Sequence, residues 1–237
     1  MSKISKRVVD AAAAKHELIR SYPSVGVIAS TCVSAHEEES LRALLRDWQI
    51  PTVRLSMTTE GMTSVRADDE TGMRALMAHL LDEVGVRRPV LVRGQAHHPD
   101  AQRRERAFRE ELAVRGIPVD EELVVDGEFW HDAAYRAVSA LLTRRRDLDA
   151  VVAANDNSAM GVLRALADAG LRVPDDVVVT GFDNLQAATA WPGLTSVDND
   201  LARQGATAVR RLFAEVDGEP PVEEVLVPGR LVVREIG

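Results

Sequence analysis

The sequence contains a single cysteine, Cys32, so no internal disulfide is available and no cysteine-rich metal site can be assembled. Long apolar runs are missing as well, and nothing approaches the roughly 18 consecutive apolar residues of a membrane span. The basic residues of Met1–Arg7 lead into an Ala-rich amphipathic stretch rather than an apolar core with a cleavage site. No secretory signal is visible, and the cytoplasm is the expected compartment. Lysine is confined to Lys3, Lys6 and Lys15, which leaves +3 on residues 1–20 and −11 on the remainder. An overall charge of −8 sets the chain against nucleic acid phosphates unless a basic face is segregated.

Catalytic and metal devices are missing too. There is no Gly-rich phosphate loop, no serine elbow and no pair of carboxylates at useful spacing, so an enzyme is not expected. His97-His98 lacks a third ligand at metal spacing and reads as a polar loop before Pro99. Arg144-Arg145-Arg146 reads as the last turn of a helix, where cations suit the dipole. Cofactors are expected to be none.

What is present is an alternating pattern. The 237 residues, 46% of them hydrophobic, suffice for one large domain or two small ones. Val25–Ala29, Thr52–Leu55, Pro89–Val92, Val151–Ala154 and Val177–Thr180 have the length and β-branched content of buried parallel strands. Between them lie helical stripes over 37–48, 71–84, 101–115, 132–142, 157–169 and 201–213. In 71–84, Met73, Leu76, Met77, Leu80, Leu81 and Val84 recur at three and four, and Gly85 ends the stripe. Strand and helix in alternation mean βαβ units, parallel sheets covered by helices, and an α/β class.

In open α/β sheets ligands bind beyond the carboxyl ends of the strands, so the residues just after each strand carry the functional reading. Those corners hold Arg93-Gly94, then Arg104 across a polar loop, Phe129 and Trp130, Asn155-Asp156-Asn157, and Gly181-Phe182-Asp183. None of these side chains has a partner poised for bond breaking. They suit polar recognition of a small molecule.

Ala154-Asn155-Asp156 before a helix, Gly170 to Val177, Gly181-Phe182-Asp183 and Leu194-Thr195-Ser196-Val197 match in order and spacing. With Gly26-Val27-Ile28, Ile50 to Val53, His79-Leu80-Leu81 and the final Leu231 to Glu235, they resemble the sensor domain of the LacI/GalR family of transcriptional regulators. The resemblance implies a periplasmic-binding-protein-like fold of type I, two Rossmann-like lobes with parallel sheets and a small effector between them. One lobe would comprise 1–95 plus 201–217, the other 96–200 plus 218–237. It further implies that Arg104, Phe129, Asn155, Asn157, Asp183 and Leu201 face a sugar-like or nucleobase-like effector. Met160 and Trp191 stand where the family buries apolar side chains between subunits of a homodimer. Asn199 stands where glutamine is commoner, and Ala107 where glycine is.

Departures from the family pattern bear on the first lobe. A helix-turn-helix head is not found in these residues, so DNA is expected as a partner only through a head outside them. Val25–Ala29 corresponds to the family's third strand, which would leave the first lobe incomplete and that strand an unpaired hydrophobic edge. The expectation is an incomplete regulator: a fragment, a shifted start or a decayed copy. The alternative is a stand-alone solute-binding protein.

Overall fold

A strand that is apolar at every position needs cover on both faces, and the fourfold-buried run Ala150–Ala153 obtains it from helices on either side. The computed structural model describes residues 25–30, 39–41, 43, 50–185 and 193–234. In chain order its strands and helices begin with β1 (Val27–Ala29), β2 (Thr52–Leu55), β3 (Thr63–Ala67) and α1 (Asp69–Ala78), which continues in wider π-type turns over His79–Val84. Then come β4 (Pro89–Arg93), α2 (Pro99–Val114), β5 (Val124–Asp126), α3 (His131–Leu142), β6 (Ala150–Ala153) and α4 (Asp156–Asp168). The rest are β7 (Val178–Phe182), β8 (Thr195–Asp198), α5 (Leu201–Val216), β9 (Val225–Val227) and β10 (Arg230–Val232). Among the described residues no helix is long and apolar enough to cross a membrane.

The chain divides into two compact units, Met1–Arg66 with Leu201–Val227, and Ala67–Asp200 with Pro228–Gly237. The first contains a four-stranded sheet in the order β1-β2-β3-β9, in which β1 and β3 each pair with β2 in parallel. Ala208 and Leu212 of α5 pack on Val53, Val65 and Val227 to form its core. Thr63 Oγ1 accepts from Val222 N at 2.8 Å and Arg66 Nε donates to Glu224 at 2.6 Å, tying β3 to the segment leading into β9.

The second unit is built on a six-stranded sheet in the order β10-β8-β7-β6-β4-β5, parallel except for β10 against β8. Strand periodicity of two sends alternate residues to opposite faces. Val90, Val92, Val151, Ala153 and Val179 therefore meet Ala134, Val138, Leu141, Val162 and Leu166 of α3 and α4. Leu91, Val152 and Phe182 meet Met73, Leu76, Leu80, Phe108 and Leu112 on the other face. Gly85, with φ 88°, ends the wider turns in the left-handed conformation that glycine adopts without strain.

Two boundaries differ from the sequence reading. Residues 67–95, expected in the first lobe, belong with the second unit because β4 is hydrogen-bonded between β5 and β6 and α1 packs against α2. Residues 218–227, expected in the second, sit with the first because β9 lies beside β3. Arg144–Arg146 also lie beyond the end of α3 at Leu142, where Arg145 bridges Asp147, Glu122 and Asp120 instead of facing a helix dipole.

Candidate functional site

Parallel pairing of β4, β6 and β7 sets their carboxyl ends side by side. Arg104, in the second turn of α2, reaches that edge and is only 4% exposed. Its Nε donates to Asp69 Oδ1 at 2.9 Å and its Nη1 to the Ala154 carbonyl at 2.6 Å. Its Nη2 lies 3.3 Å from Asp183 Oδ1, and the guanidinium carbon sits 3.9 Å from the centre of the Phe182 ring, a cation–π distance. Asp69, the first residue of α1 and fully buried, also accepts from Arg103 Nε at 3.1 Å, and Arg103 pairs with Asp100. Asp183 Oδ1 accepts from Asn199 Nδ2 at 2.7 Å.

This is an interlocked cluster of three carboxylates and two guanidiniums in a place with little water. Burial opposes the Arg104 charge, but Asp69, Asp183 and Asp100 outweigh it and hold its pKa above the ordinary arginine value. Burial also raises Asp183, with Arg104 pulling the other way, and it raises Asp100 to about 6 with the help of Asp69. Burial lowers His98, and the nearby Arg104 charge adds to the effect.

An aromatic and two amides lie beside the cluster. Asn155 caps α4 by accepting from Ser158 N at 2.8 Å, as its residue type favours, while its Nδ2 donates to the Phe129 carbonyl at 3.2 Å. Asn157 Nδ2 donates to the same carbonyl at 3.0 Å. Glu128 and Phe129 both have left-handed backbones, φ 53° and 65°, which is costly for a bulky residue and persists only when the surroundings enforce it. Here the enforcement comes from the two amides on one side and from Gly127 and Glu128 N–H groups on the Arg93 carbonyl on the other. The Phe129 ring lies 5.8 Å from the Arg104 guanidinium and meets the His98 ring edge-on at 5.4 Å. It also lies against Gly94, where a Cβ would come within 2.2 Å of a ring carbon.

Arg104, Phe129, Asn155, Asn157 and Asp183, scattered over eighty positions, thus come together at one edge of one sheet. The sequence offered the Arg104 donors to a ligand; the structure commits Nε and Nη1 to Asp69 and Ala154, leaving Nη2 facing Asp183. Leu201 is the first residue of α5 in the other unit and is 58% exposed. Met160 lies on α4, half-buried against the core of the second unit, and Trp191 lies outside the described residues. Trp130 is exposed. Sequence reasoning missed Asp69, Asp100, Arg103 and the contact role of Gly94 and His98. The only local signal was His98-Pro99-Asp100, a helix start with proline at its first position, at which His98 Nδ1 accepts from Asp100 N at 3.3 Å.

Residues 77–235 match the sequence profile of the periplasmic binding protein-like domain. The chain belongs to this family. Over 212 residues it is 34% identical to the HTH-type transcriptional regulator CelR of Thermobifida fusca, covering 86% of this chain and 62% of CelR. A solved transcriptional regulator CelR–cellobiose complex superposes with a TM-score of 0.85 at 29% identity, covering 95% of this chain and 70% of that one. A LacI family transcriptional regulator from Mycobacterium smegmatis superposes at 0.83 with 28% identity, covering 95% and 83%. The periplasmic binding protein-like fold and the LacI-type likeness read from the motifs therefore hold for this domain. The chain spans less than two thirds of the length of CelR, the relative it matches over 212 residues.

Proposed function

We propose that this chain is the effector-sensing portion of a LacI-type transcriptional regulator, and that the second unit holds a neutral, hydroxyl-rich small molecule of sugar type without altering it. The observation that carries this reading is the joining of Arg104, Asp183, Asn155, Asn157 and Phe129 at the carboxyl ends of β4, β6 and β7. Asp183 offers an acceptor-only carboxylate, the arginine and the amides offer donors, and the aromatic ring offers a flat apolar face for the C–H side of a sugar. In a regulator of this kind, effector binding shifts the balance between conformations and so alters how a DNA-binding domain is presented. The working assembly is a homodimer, with Met160 of α4 near the partner, and it acts in the cytoplasm where DNA is.

The test is titration calorimetry of the purified chain against a panel of cellobiose, ribose and nucleosides. Saturable heat from one class, abolished by Asp183→Ala in a protein that still folds, is the expected result. No binding across the panel, or a hit that survives Asp183→Ala, overturns the assignment.

A further inference from the structure

Asp156 stands beside Asn155 at the start of α4, yet its carboxylate is hydrogen-bonded to Ser196 of β8 and to the segment that follows β7. Its Oδ1 accepts from Ser196 Oγ at 2.7 Å and its Oδ2 from Leu185 N at 2.6 Å. Ser196 Oγ in turn accepts from Asn184 N at 3.1 Å. The Asp156 side chain is buried; the Leu185 N–H can only donate, so the oxygen facing it must accept, and the Ser196 hydroxyl, which already accepts from Asn184 N, gives its proton to the other oxygen. A carboxylate accepts both. An amide could still accept from the Leu185 N–H, but its NH2 would face the Ser196 hydroxyl and that hydroxyl's proton would lose its acceptor.

The segment held in this way has an unusual backbone. Asp183 and Asn184 follow one another with φ 98° and 49°, positive values that are uncommon outside glycine and most often taken by Asp and Asn. Asp183 N also donates to the Val197 carbonyl at 2.8 Å, which fixes one side of the turn, while Asp156 and Ser196 fix the other. Gly181 completes the device. Its backbone is not left-handed, so no turn demands glycine there, but a Cβ would come within 2.1 Å of Asp156 Oδ1 and 3.2 Å of Leu194 Cδ2. The absent side chain is the space that the Asp156 carboxylate enters.

We propose that Asp156 is a positioning residue that sets the Asp183 carboxylate against Arg104, and that Gly181 is glycine in order to admit it. The inference builds on the reading of Asp183 as an effector-binding group. It also gives one physical cause to two motifs, Asn155-Asp156 and Gly181-Phe182-Asp183, that lie far apart in the chain.

The test reads the turn directly, with no effector present. Backbone amide exchange and the Asp183 side-chain carboxyl resonance are followed by NMR through a pH titration of the full chain, for wild type, Asp156→Asn, Gly181→Ala and Ser196→Ala. The expected result is exchange about tenfold faster or more at Asn184 and Leu185. The Asp183 titration moves in the same variants, while amides of β4 and β6 keep their protection. Unchanged exchange and titration overturn the proposal, and so does loosening spread evenly over the unit, the signature of a general structural role. If Asp156→Asn does not fold, Gly181→Ala and Ser196→Ala retain the aspartate and decide the matter by the same criteria. Failure of wild type to bind any sugar would sink the effector reading but leave the turn measurement standing; loss of sugar binding in variants whose turn is unaltered would do the reverse.

Discussion

Arg104 and Asp183 face each other at 3.3 Å, and each is also held by a second group, Arg104 by Asp69 and Asp183 by Asn199. The contact is therefore part of a buried network. Neither charge can be removed without stranding another.

Arg104→Ala leaves the carboxylates of Asp69 and Asp183 without their shared cation. The expected loss is about 3–5 kcal/mol, the range for breaking a buried pair from one side. Arg104→Lys keeps the charge but not the fixed fork that reaches Asp69 and Ala154 together, and should fall between the two. Urea denaturation of the three proteins measures this order, and equal stability of Arg104→Ala and wild type would contradict it.

The pH dependence of stability should separate two groups of carboxylates. Asp100 and Asp156 are raised to about 6 by burial and Asp183 is raised in the same direction, so the folded state binds their protons more tightly than the unfolded chain. The contribution of Asp100 and Asp156 is fully present below the ordinary aspartate value of 3.8 and is lost as pH rises through about 6, and that of Asp183 has the same sign. Exposed Asp147, lowered to about 2 by its hydrogen bond from Arg145, works in the opposite sense and only at more acid pH. Asp100→Asn removes one of the buried protons, and thermal unfolding across the interval between 3.8 and about 6 should show a flatter slope than wild type. At about 1.4 kcal/mol per unit, the difference accumulates to on the order of 2–3 kcal/mol.

Gly94 and Phe129 should behave as one element. A methyl at position 94 would enter the Phe129 ring, coming within 2.2 Å of a ring carbon, and must displace it. Gly94→Ala and Phe129→Ala are expected to weaken sugar binding by similar factors, with no further loss in the double variant. Calorimetry on the four proteins tests this, and additive losses would show that the two act independently.

Gly161→Ala tests the packing of α3 on α4. Alanine improves the helix by about 1 kcal/mol in isolation. Here its Cβ would come within 2.1 Å of the His131 carbonyl oxygen and 3.1 Å of Tyr135 N, backbone atoms that cannot turn aside. The variant is expected to be less stable by about 1–3 kcal/mol, the usual cost of overpacking. A gain in urea resistance would reverse the argument.

Much of this protein was written in short-range pattern. The run at Pro89–Val92 became a strand because residues covered on both faces are apolar without interruption, Thr52–Leu55 became one although Thr52 and Arg54 interrupt its apolar pattern, and the stripe over 71–84 became a helix ended by Gly85. Asn155 and Asp183 could be picked out because each follows an apolar strand run, at the edge where open α/β sheets take ligands, and because each falls in a motif that resembles the LacI/GalR family. Thr63–Ala67 went unrecognised: two of its five residues are hydroxylic and one is arginine, so it lacks the signature of a buried strand although four of the five are buried.

Other features had no local signature. Which sheet would take β4, and with it residues 67–95, depended on hydrogen bonding to β5 and β6, and periodicity is the same in either sheet. The partner of Arg104 is Asp69, 35 positions away, and the aspartate beside Asn155 holds a turn 29 positions on. Period and composition determine elements because they report which faces are apolar. Charges find their partners only after those elements have packed, when burial makes an unmatched one too costly to keep.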